Sequence, residues 1–196
     1  MSKYSKIYFL GIGGIGMSAI ARYYKFKGYP VAGYDRTQSE LTLELEKEEI
    51  DIHYKDDPDY IPKDVASTLV VYTPAIPEDL QEFVYVKEHG YTLVKRSRML
   101  GELAEGQTCL AVAGTHGKTT TSTLVAHILT ESGKGCSAFL GGISKNYNTN
   151  LLTSHTPTIV AEADEFDRSF LQLHPAIAAV DGRGSSGHLR YPPGVP

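Results

Sequence analysis

The chain has 196 residues, 41% of them hydrophobic and 21% charged, and a formal net charge of −4 at pH 7. These values are ordinary for a globular protein of one or two domains, and they give no basic footprint for nucleic acid. The sequence has no apolar run long enough to cross a bilayer and no signal-peptide pattern, so we expect a cytoplasmic protein. Cys109 and Cys136 lie in apolar segments and are expected to be buried thiols rather than a disulfide or a metal pair.

The first predicted strand, residues 7–10, runs into a glycine-rich turn and then a helix. The turn has the form G-x-G-x-x-G, with glycines at positions 11, 13, 14 and 16. Such a turn brings the backbone close to a diphosphate. A second predicted strand, residues 30–34, ends at Asp35, where a carboxylate can bind ribose hydroxyls. We therefore predict a nucleotide-diphosphate-binding unit, the alternative being a plain glycine-rich corner between strand and helix.

The same alternation of strand and helix continues to residue 94. Strands are predicted at residues 50–52, 69–72 and 91–94, and helices at 41–45 and 78–89. This order predicts a Rossmann-like α/β fold with a doubly wound parallel sheet. Because ligands bind at the carboxyl ends of such strands, the glycine turn, Asp35 and residues 73–76 should gather at one edge. Arg96 lies in a basic cluster that opens the next helix, and the pattern leaves open whether it faces phosphate or solvent.

A second glycine-rich turn follows the apolar segment at residues 109–113 and precedes another helical pattern. It reads Gly114-Thr115-His116-Gly117-Lys118-Thr119-Thr120. Backbone N–H groups, the helix dipole and the lysine charge would together attract phosphate. Lys118 would then contact the outer phosphates of a nucleotide, and the Thr119 hydroxyl would ligate Mg²⁺. The sequence predicts a nucleoside triphosphate site, against the alternative of a glycine-rich turn with an exposed lysine.

Four acidic residues follow the predicted strand at 158–161, namely Glu162, Asp164, Glu165 and Asp167. Carboxylates just beyond a buried strand, next to a phosphate loop, favour Mg²⁺ coordination and charge balance. The alternative, an acidic helix N-terminus, explains one or two of them more easily than four. Before this cluster we expect a strand at 137–140, followed by the glycine pair at 141–142 and a polar loop at 146–150.

Four motifs occur in one order along the chain, and together they resemble the Mur ligases. They are G-I-G-G-I-G-M-S at 11–18, T-P-A-I at 73–76, A-G-T-H-G-K-T-T-T at 113–121 and E-A-D-E-x-D at 162–167. The second glycine turn also fits this family better than the common P-loop, whose first glycine would fall on Val112. The resemblance covers residues 6–180 and points to the members that add L-alanine to UDP-N-acetylmuramate.

The resemblance implies a domain organisation. Residues 1–105 would form a UDP-sugar-binding Rossmann-like domain, and residues 106–180 the first part of a P-loop ATPase α/β domain. The family has a third domain, for the incoming amino acid, which the sequence lacks. We therefore expect an incomplete ATPase domain and an inactive fragment, with the oligomeric state left open.

The resemblance also implies roles for individual residues. The UDP-sugar would contact Gly11, Gly13, Gly14, Gly16, Asp35, Thr73, Ala75, Arg96 and Asn150. ATP would bind Gly114, Thr115, His116, Gly117, Lys118, Thr119 and Thr120. Mg²⁺ would be ligated by Thr119 and Glu162, and the catalytic residues would be Lys118, His116 and Glu162. ATP would phosphorylate the muramate carboxylate, and the alanine amine would then attack the acyl phosphate.

Other interpretations remain open. An NAD-dependent oxidoreductase would use the first glycine turn equally well, but it leaves the second turn and the acidic cluster unexplained. A related ligase that recycles murein tripeptide has similar domains, although we expect fewer glycines in its first turn. The chain can also be a nucleotide-binding module without turnover.

The tail departs from the family pattern. After the predicted strand at 176–180 the family carries D-x-D-H-x-D-x-Y-G, whereas residues 181–196 are rich in turn formers and lack apolar periodicity. We expect this tail to be disordered. One permitted DNA spelling of residues 182–191, read from its second base, encodes D-A-D-H-L-D-I-Y-G. We therefore also expect a frameshift near Val180 and Asp181.

Overall fold

A computed structural model describes residues 3–163 and 173–181, which contain two five-stranded sheets. The first sheet consists of β1 (Lys6–Leu10), β2 (Val31–Tyr34), β3 (Asp51–His53), β4 (Thr68–Tyr72) and β5 (Thr92–Lys95). Its order is β3-β2-β1-β4-β5, and all its strand pairs are parallel. Its helices are α1 (Ile15–Phe26), α2 (Glu40–Lys47), α3 (Gln81–Glu88) and α4 (Arg96–Ala104), with a short 3-10 helix at Pro58–Tyr60. The order reverses direction beside β1, so the first glycine turn lies at the switch point.

The second sheet has the order β10-β6-β9-β7-β8. Its strands are β6 (Thr108–Gly114), β7 (Ser137–Ser144), β8 (Thr149–Leu152), β9 (Thr158–Glu162) and β10 (Ile177–Asp181), and α5 (Lys118–Glu131) packs on it. All pairs are parallel except the antiparallel pair of β7 and β8. These sheets confirm the predicted α/β fold class, while the domain boundaries at 105 and 180 stay a prediction.

The hairpin of β7 and β8 differs from its prediction. We expected the strand to stop at residue 140, but β7 continues through Gly141 and Gly142 to Ser144. The predicted polar loop at 146–150 is shorter, because β8 begins at Thr149. Glycine and polar residues weaken local strand preference, and the pairing of the two strands overrides it here.

Helix α3 begins three residues later than the predicted start at 78. Its first amides are capped from a distant loop, where the Asp56 carboxylate accepts hydrogen bonds from the N–H groups of Gln81 and Glu82 at 2.9 and 3.0 Å. A cap supplied by another part of the chain leaves no local sequence signal, so the helix start could not be predicted from its own residues.

Helix α1 packs against both sheets. Ile20 and Tyr23 of α1 belong to one hydrophobic core with Phe139 of β7 and Leu151 of β8. The rings of Tyr23 and Phe139 lie 5.3 Å apart between centroids, at a tilt of 51°. The two sheets are therefore joined through the helix that follows the first glycine turn.

The predicted buried thiols are confirmed, since Cys109 and Cys136 are both free and buried. Within the described ranges, no helix is long and apolar enough to span a membrane. The predicted carboxylates Asp164, Glu165 and Asp167 lie outside those ranges. So do residues 182–196, where most of the expected disordered, frameshifted tail falls.

Candidate functional site

A cleft of about 460 Å³ lies between the two sheets and brings parts of both glycine turns together. One wall comes from α1, its preceding turn and α4, and includes Gly14, Gly16, Thr73, Ala75 and Arg96. The other comes from the second sheet and α5, and includes Lys118, Thr119, Phe139, Gly141 and Glu162. The motifs that the sequence placed about a hundred residues apart thus face a single space.

The first glycine turn is shaped by close packing. Gly11 has a φ of +84°, which favours glycine, and a side chain there would also meet Thr73. The Gly13 N–H donates to Asp35 Oδ2 at 2.7 Å. A Cβ at Gly13 would lie 2.8 Å from both that oxygen and Thr42 Cγ2. Asp35 Oδ1 accepts from the Thr37 N–H at 3.2 Å, so both carboxylate oxygens already hold backbone N–H groups before any ribose hydroxyl binds.

The N-terminus of α1 is open to an anion. Its N-cap is Gly14, no side chain caps it, and its first turn carries no acidic residue. The first amides of a helix have no acceptor within the helix, and the dipole favours negative charge there. The Arg96 guanidinium lies against Gly16, where a Cβ would collide with it. This end of the cleft thus combines backbone donors with a fixed positive charge, as a diphosphate requires.

The second glycine turn has the same open character. Gly114 and Gly117 have φ values of +136° and +72°, and Gly117 is the N-cap of α5, without a side-chain cap or a first-turn acid. Lys118 Nζ donates to the Gly114 carbonyl at 2.7 Å. This contact folds the lysine over its own loop. Phosphate oxygens placed at the loop would compete for the same ammonium group.

The Glu162 carboxylate links three elements of this wall. It accepts hydrogen bonds from Thr119 Oγ1 at 3.2 Å, Ser122 Oγ at 2.8 Å and the Gly141 N–H at 2.8 Å. A Cβ at Gly141 would collide with the carboxylate, so glycine permits the close approach of β7. Glu162 is thus held at the first turn of α5.

The same residues fit a magnesium ion. Two oxygens bound at about 2.1 Å by one octahedral Mg²⁺ lie roughly 3 Å apart. The 3.2 Å between Thr119 Oγ1 and Glu162 Oε2 therefore suits a shared ion. Within the described ranges no group of three or more His, Cys, Asp or Glu side chains is arranged to hold a metal. Magnesium bound with a nucleotide commonly takes only one or two protein ligands, the remainder being phosphate oxygens and water.

Some of the predicted site residues lie away from the cleft surface. His116 is exposed at the tip of its turn, with Nδ1 3.2 Å from Thr115 Oγ1. Asn150 is fully buried, and its side-chain amide is bonded to Arg22, Ser18 and the Ile15 carbonyl. A direct contact between Asn150 and substrate would require these bonds to break, so its predicted role stays a prediction.

Sequence reasoning missed Ser122 and Gly141, which hold Glu162. A signal for Ser122 existed, because it lies three residues after Thr119 and such residues share a helix face. Gly141 lies just beyond the predicted strand end at residue 140, and its contact depends on the unexpected continuation of β7. The apolar residues Leu100 and Phe139 in the cleft were not singled out either.

Comparison with known proteins agrees with this geometry. Residues 6–108 match the family described as "Mur ligase family, catalytic domain". The UDP-N-acetylmuramate–L-alanine ligase of Phocaeicola vulgatus is 56% identical over 178 residues, which are 89% of this chain and 39% of that protein. The ligase of the same name from Christiangramia forsetii is 52% identical over 177 residues, with 88% and 39% covered. The chain therefore spans about two fifths of the length of the curated relatives it matches.

Solved structures give the same result. The UDP-N-acetylmuramate–alanine ligase of Thermotoga maritima aligns with a TM-score of 0.82 and 34% identity, over 89% of this chain and 40% of that one. A UDP-N-acetylmuramate:L-alanyl-γ-D-glutamyl-meso-diaminopimelate ligase from Neisseria meningitides aligns with a TM-score of 0.80 and 27% identity, over 89% and 59%. Both folds thus extend across most of this chain.

Proposed function

The chain belongs to the Mur ligase family, and on that premise we propose that it supplies the UDP-sugar and ATP sites of an enzyme that joins L-alanine to UDP-N-acetylmuramate. The observation that carries the proposal is the single cleft that Gly14, Gly16 and Arg96 share with Lys118, Thr119 and Glu162. The names of the relatives that are 52% to 56% identical support alanine as the added residue. The use of ATP and a UDP-sugar favours a cytoplasmic location.

The two walls would bind the two nucleotides. The open N-terminus of α1 and the Arg96 guanidinium would hold the diphosphate of the UDP-sugar. Thr73 and Ala75, at the end of β4, would line the path to the sugar. The open N-terminus of α5 and Lys118 would hold the outer phosphates of ATP, with the backbone of residues 114–117 around them.

The proposed reaction has two steps. The muramate carboxylate would attack the γ-phosphorus of ATP, forming a C–O–P bond and releasing ADP. The alanine amine would then attack the acyl carbon, and inorganic phosphate and one proton would leave as the amide forms. Phosphorylation is required because hydroxide is a poor leaving group, whereas phosphate is a good one.

Charge neutralisation is the main task of the protein in such a reaction, because the carboxylate and the triphosphate are both anionic. Lys118 and Arg96 supply fixed positive charges on opposite walls of the cleft. Thr119 and Glu162 would hold Mg²⁺, which neutralises phosphate charge when bound. His116, at the exposed tip of the loop, would approach the reacting groups only once substrate fills the cleft. This role of His116 rests on the family resemblance, because His116 does not line the cleft.

Calorimetric titration tests the binding proposal. UDP-N-acetylmuramate and Mg-ATP should each bind to the 196-residue chain, and each should still bind when the other is present. NAD should give no binding heat, and its presence should not weaken the binding of UDP-N-acetylmuramate. Tight NAD binding at the first glycine turn, with no response to Mg-ATP, would favour the oxidoreductase instead.

A further inference from the structure

The Asn150 side chain joins β8 to the first turn of α1 through a buried set of hydrogen bonds. Its Nδ2 group donates to the Ile15 carbonyl at 2.6 Å and to Ser18 Oγ at 2.8 Å. Ser18 Oγ itself donates to the same Ile15 carbonyl at 3.0 Å. Asn150 and Ser18 are both fully buried. A side chain of the second sheet therefore binds the turn of helix that opens the diphosphate site.

Arg22 fixes the orientation of this amide. Its Nη1 group donates to Asn150 Oδ1, so the Nδ2 end must point toward Ile15. The remainder of the guanidinium is held by Glu48, with Nε 2.9 Å from both carboxylate oxygens and Nη2 2.7 Å from Oε1. Arg22 is only 8% exposed, and a buried guanidinium bonded to a carboxylate through both Nε and Nη2 has little freedom to turn.

The hairpin of β7 and β8 also reaches the wall of the cleft that would bind ATP. Phe139 of β7 pairs with Leu151 of β8, next to Asn150. Two residues beyond Phe139, the Gly141 N–H donates to Glu162. The hairpin of β7 and β8 thus contacts the first turn of α1 at one point and the carboxylate assigned to Mg²⁺ at another.

We propose that Asn150, oriented by Arg22, is a positioning residue that fixes the distance and angle between the two nucleotide loops across the cleft. The apolar contact of Tyr23 with Phe139 joins the same elements, but apolar contacts tolerate sliding. Hydrogen bonds to a particular carbonyl are directional, so they select one arrangement. This role replaces direct substrate contact as the function of Asn150 and, for its effect on ligands, rests on the proposed function.

A distance measurement tests this positioning role of Asn150 without any ligand. Spin labels on cysteines introduced at Glu88 of α3 and Glu131 of α5 report the separation of the two sheets, since both positions are exposed and both native thiols are buried. The parent should give one narrow distance distribution. Asn150→Ala should broaden or shift it, whereas Asn146→Ala, in the exposed turn of the same hairpin, should leave it unchanged. Identical distributions for both variants would overturn the proposal.

Two further variants guard against misfolding of Asn150→Ala. Asn150→Asp keeps the volume and the acceptor for Arg22 but loses the donor to Ile15. Ser18→Ala removes the bond that Ser18 Oγ accepts from Asn150 and the one it donates to Ile15, but it leaves the bond from Asn150 to the Ile15 carbonyl, so it is the mildest change. Both should broaden the distribution, Ser18→Ala least. A narrow parental distribution in a folded Asn150→Asp protein would also overturn the proposal.

Ligand coupling then separates positioning from simple stabilisation. UDP-N-acetylmuramate should change the affinity for Mg-ATP by about fivefold or more in the parent, a typical size for coupled sites. In Asn150→Asp this factor should fall to within about twofold of one, while each ligand alone binds with nearly parental affinity. Unchanged coupling would contradict the positioning role. Absence of binding by the parent would instead count against the proposed function and leave the distance result standing.

Discussion

Thr119 Oγ1 donates to Glu162 Oε2 at 3.2 Å, so the two oxygens that we assign to one Mg²⁺ are adjacent in the folded chain. They come from positions 43 residues apart, one at the first turn of α5 and the other at the end of β9. Strand β9 pairs with β6, the strand that leads into the second glycine turn, with Val112 opposite Glu162. The parallel register of these strands therefore creates the site.

Glu162→Gln should lower the Mg²⁺ dependence of nucleotide binding. The amide can keep an oxygen near Gly141 but loses the charge that Mg²⁺ prefers. Removal of even an outer-shell partner typically costs about 10–100-fold in metal affinity, so loss of a direct ligand should cost at least as much. ATP titrations across a Mg²⁺ series measure the effect. Glu131→Gln, at the exposed end of α5, is the matched control, and an equal response in both variants would contradict the assignment.

Lys118→Ala should weaken ATP binding by about 10- to 100-fold, since a hydrogen bond to a charged group contributes about 1.5–3 kcal/mol. Lys134→Ala removes an exposed lysine beyond the end of α5 and should bind ATP as the parent does. Calorimetry on both proteins makes the comparison. Equal ATP affinities would mean that the ammonium group does not contact phosphate.

Adjacent glycines of the first turn should differ in their tolerance of alanine. At Gly13 a Cβ would lie 2.8 Å from Asp35 Oδ2 and Thr42 Cγ2, whereas at Gly14 its nearest neighbour is 3.5 Å away. Overpacking of this kind costs about 1–3 kcal/mol, so Gly13→Ala should lower the free energy of unfolding by that amount. Urea denaturation without ligand provides the measurement. A larger loss for Gly14→Ala would contradict the packing described here.

Tyr24→Phe should reduce the loss of stability at alkaline pH. Burial raises the pKa of Tyr24 well above its ordinary value of 10.0. Above pH 10 the tyrosine therefore ionises in the unfolded chain but stays protonated in the folded one, so its contribution to stability is full below that pH and falls as pH rises. Above about pH 10, the free energy of unfolding should therefore fall less steeply in Tyr24→Phe than in the parent, by about 1.4 kcal/mol per pH unit. Unfolding curves recorded at intervals between about pH 8 and about pH 11 test this.

At neutral pH, Tyr24→Phe should change stability little, because among residues 3–163 and 173–181 its hydroxyl bonds only to Met99 Sδ, a weak acceptor 3.7 Å away. Tyr8→Phe offers a contrast. The Tyr8 hydroxyl donates to the fully buried Glu82 carboxylate at 2.5 Å, so its removal leaves a buried acceptor with one partner fewer. That loss should cost about 1–3 kcal/mol at pH 7. Equal stabilities for the two variants at neutral pH would contradict this reasoning.

Much of the fold could be predicted because strand, turn and helix signals alternate regularly along the sequence. Both glycine turns lie between a buried strand and a helix, and local sequence is sufficient to place them. The hairpin was less predictable, since the strand was expected to end before Gly141 and Gly142, and its continuation through them depends on the pairing with β8. Tertiary pairing decided a segment whose local preference was weak.

The site was predicted unevenly for a similar reason. Lys118 and Thr119 are placed by a local motif, so the sequence was sufficient to bring them to the cleft. The family resemblance implied that Asn150 contacts the UDP-sugar, whereas the structure shows its side chain buried against α1. Its partners Ile15 and Ser18 are more than 130 residues away in the chain, and no local pattern reports such a contact.

Alkylation of the two cysteines can report local opening of the second sheet. Cys109 and Cys136 are the chain's only thiols, and burial raises the pKa of each to about 11. An iodoacetamide-type reagent requires a thiolate that it can reach, so it should modify them only when β6 or the start of β7 opens. Their labelling rate would therefore record local opening around the second glycine turn, whereas opening of the first sheet, which has no thiol, would not be detected.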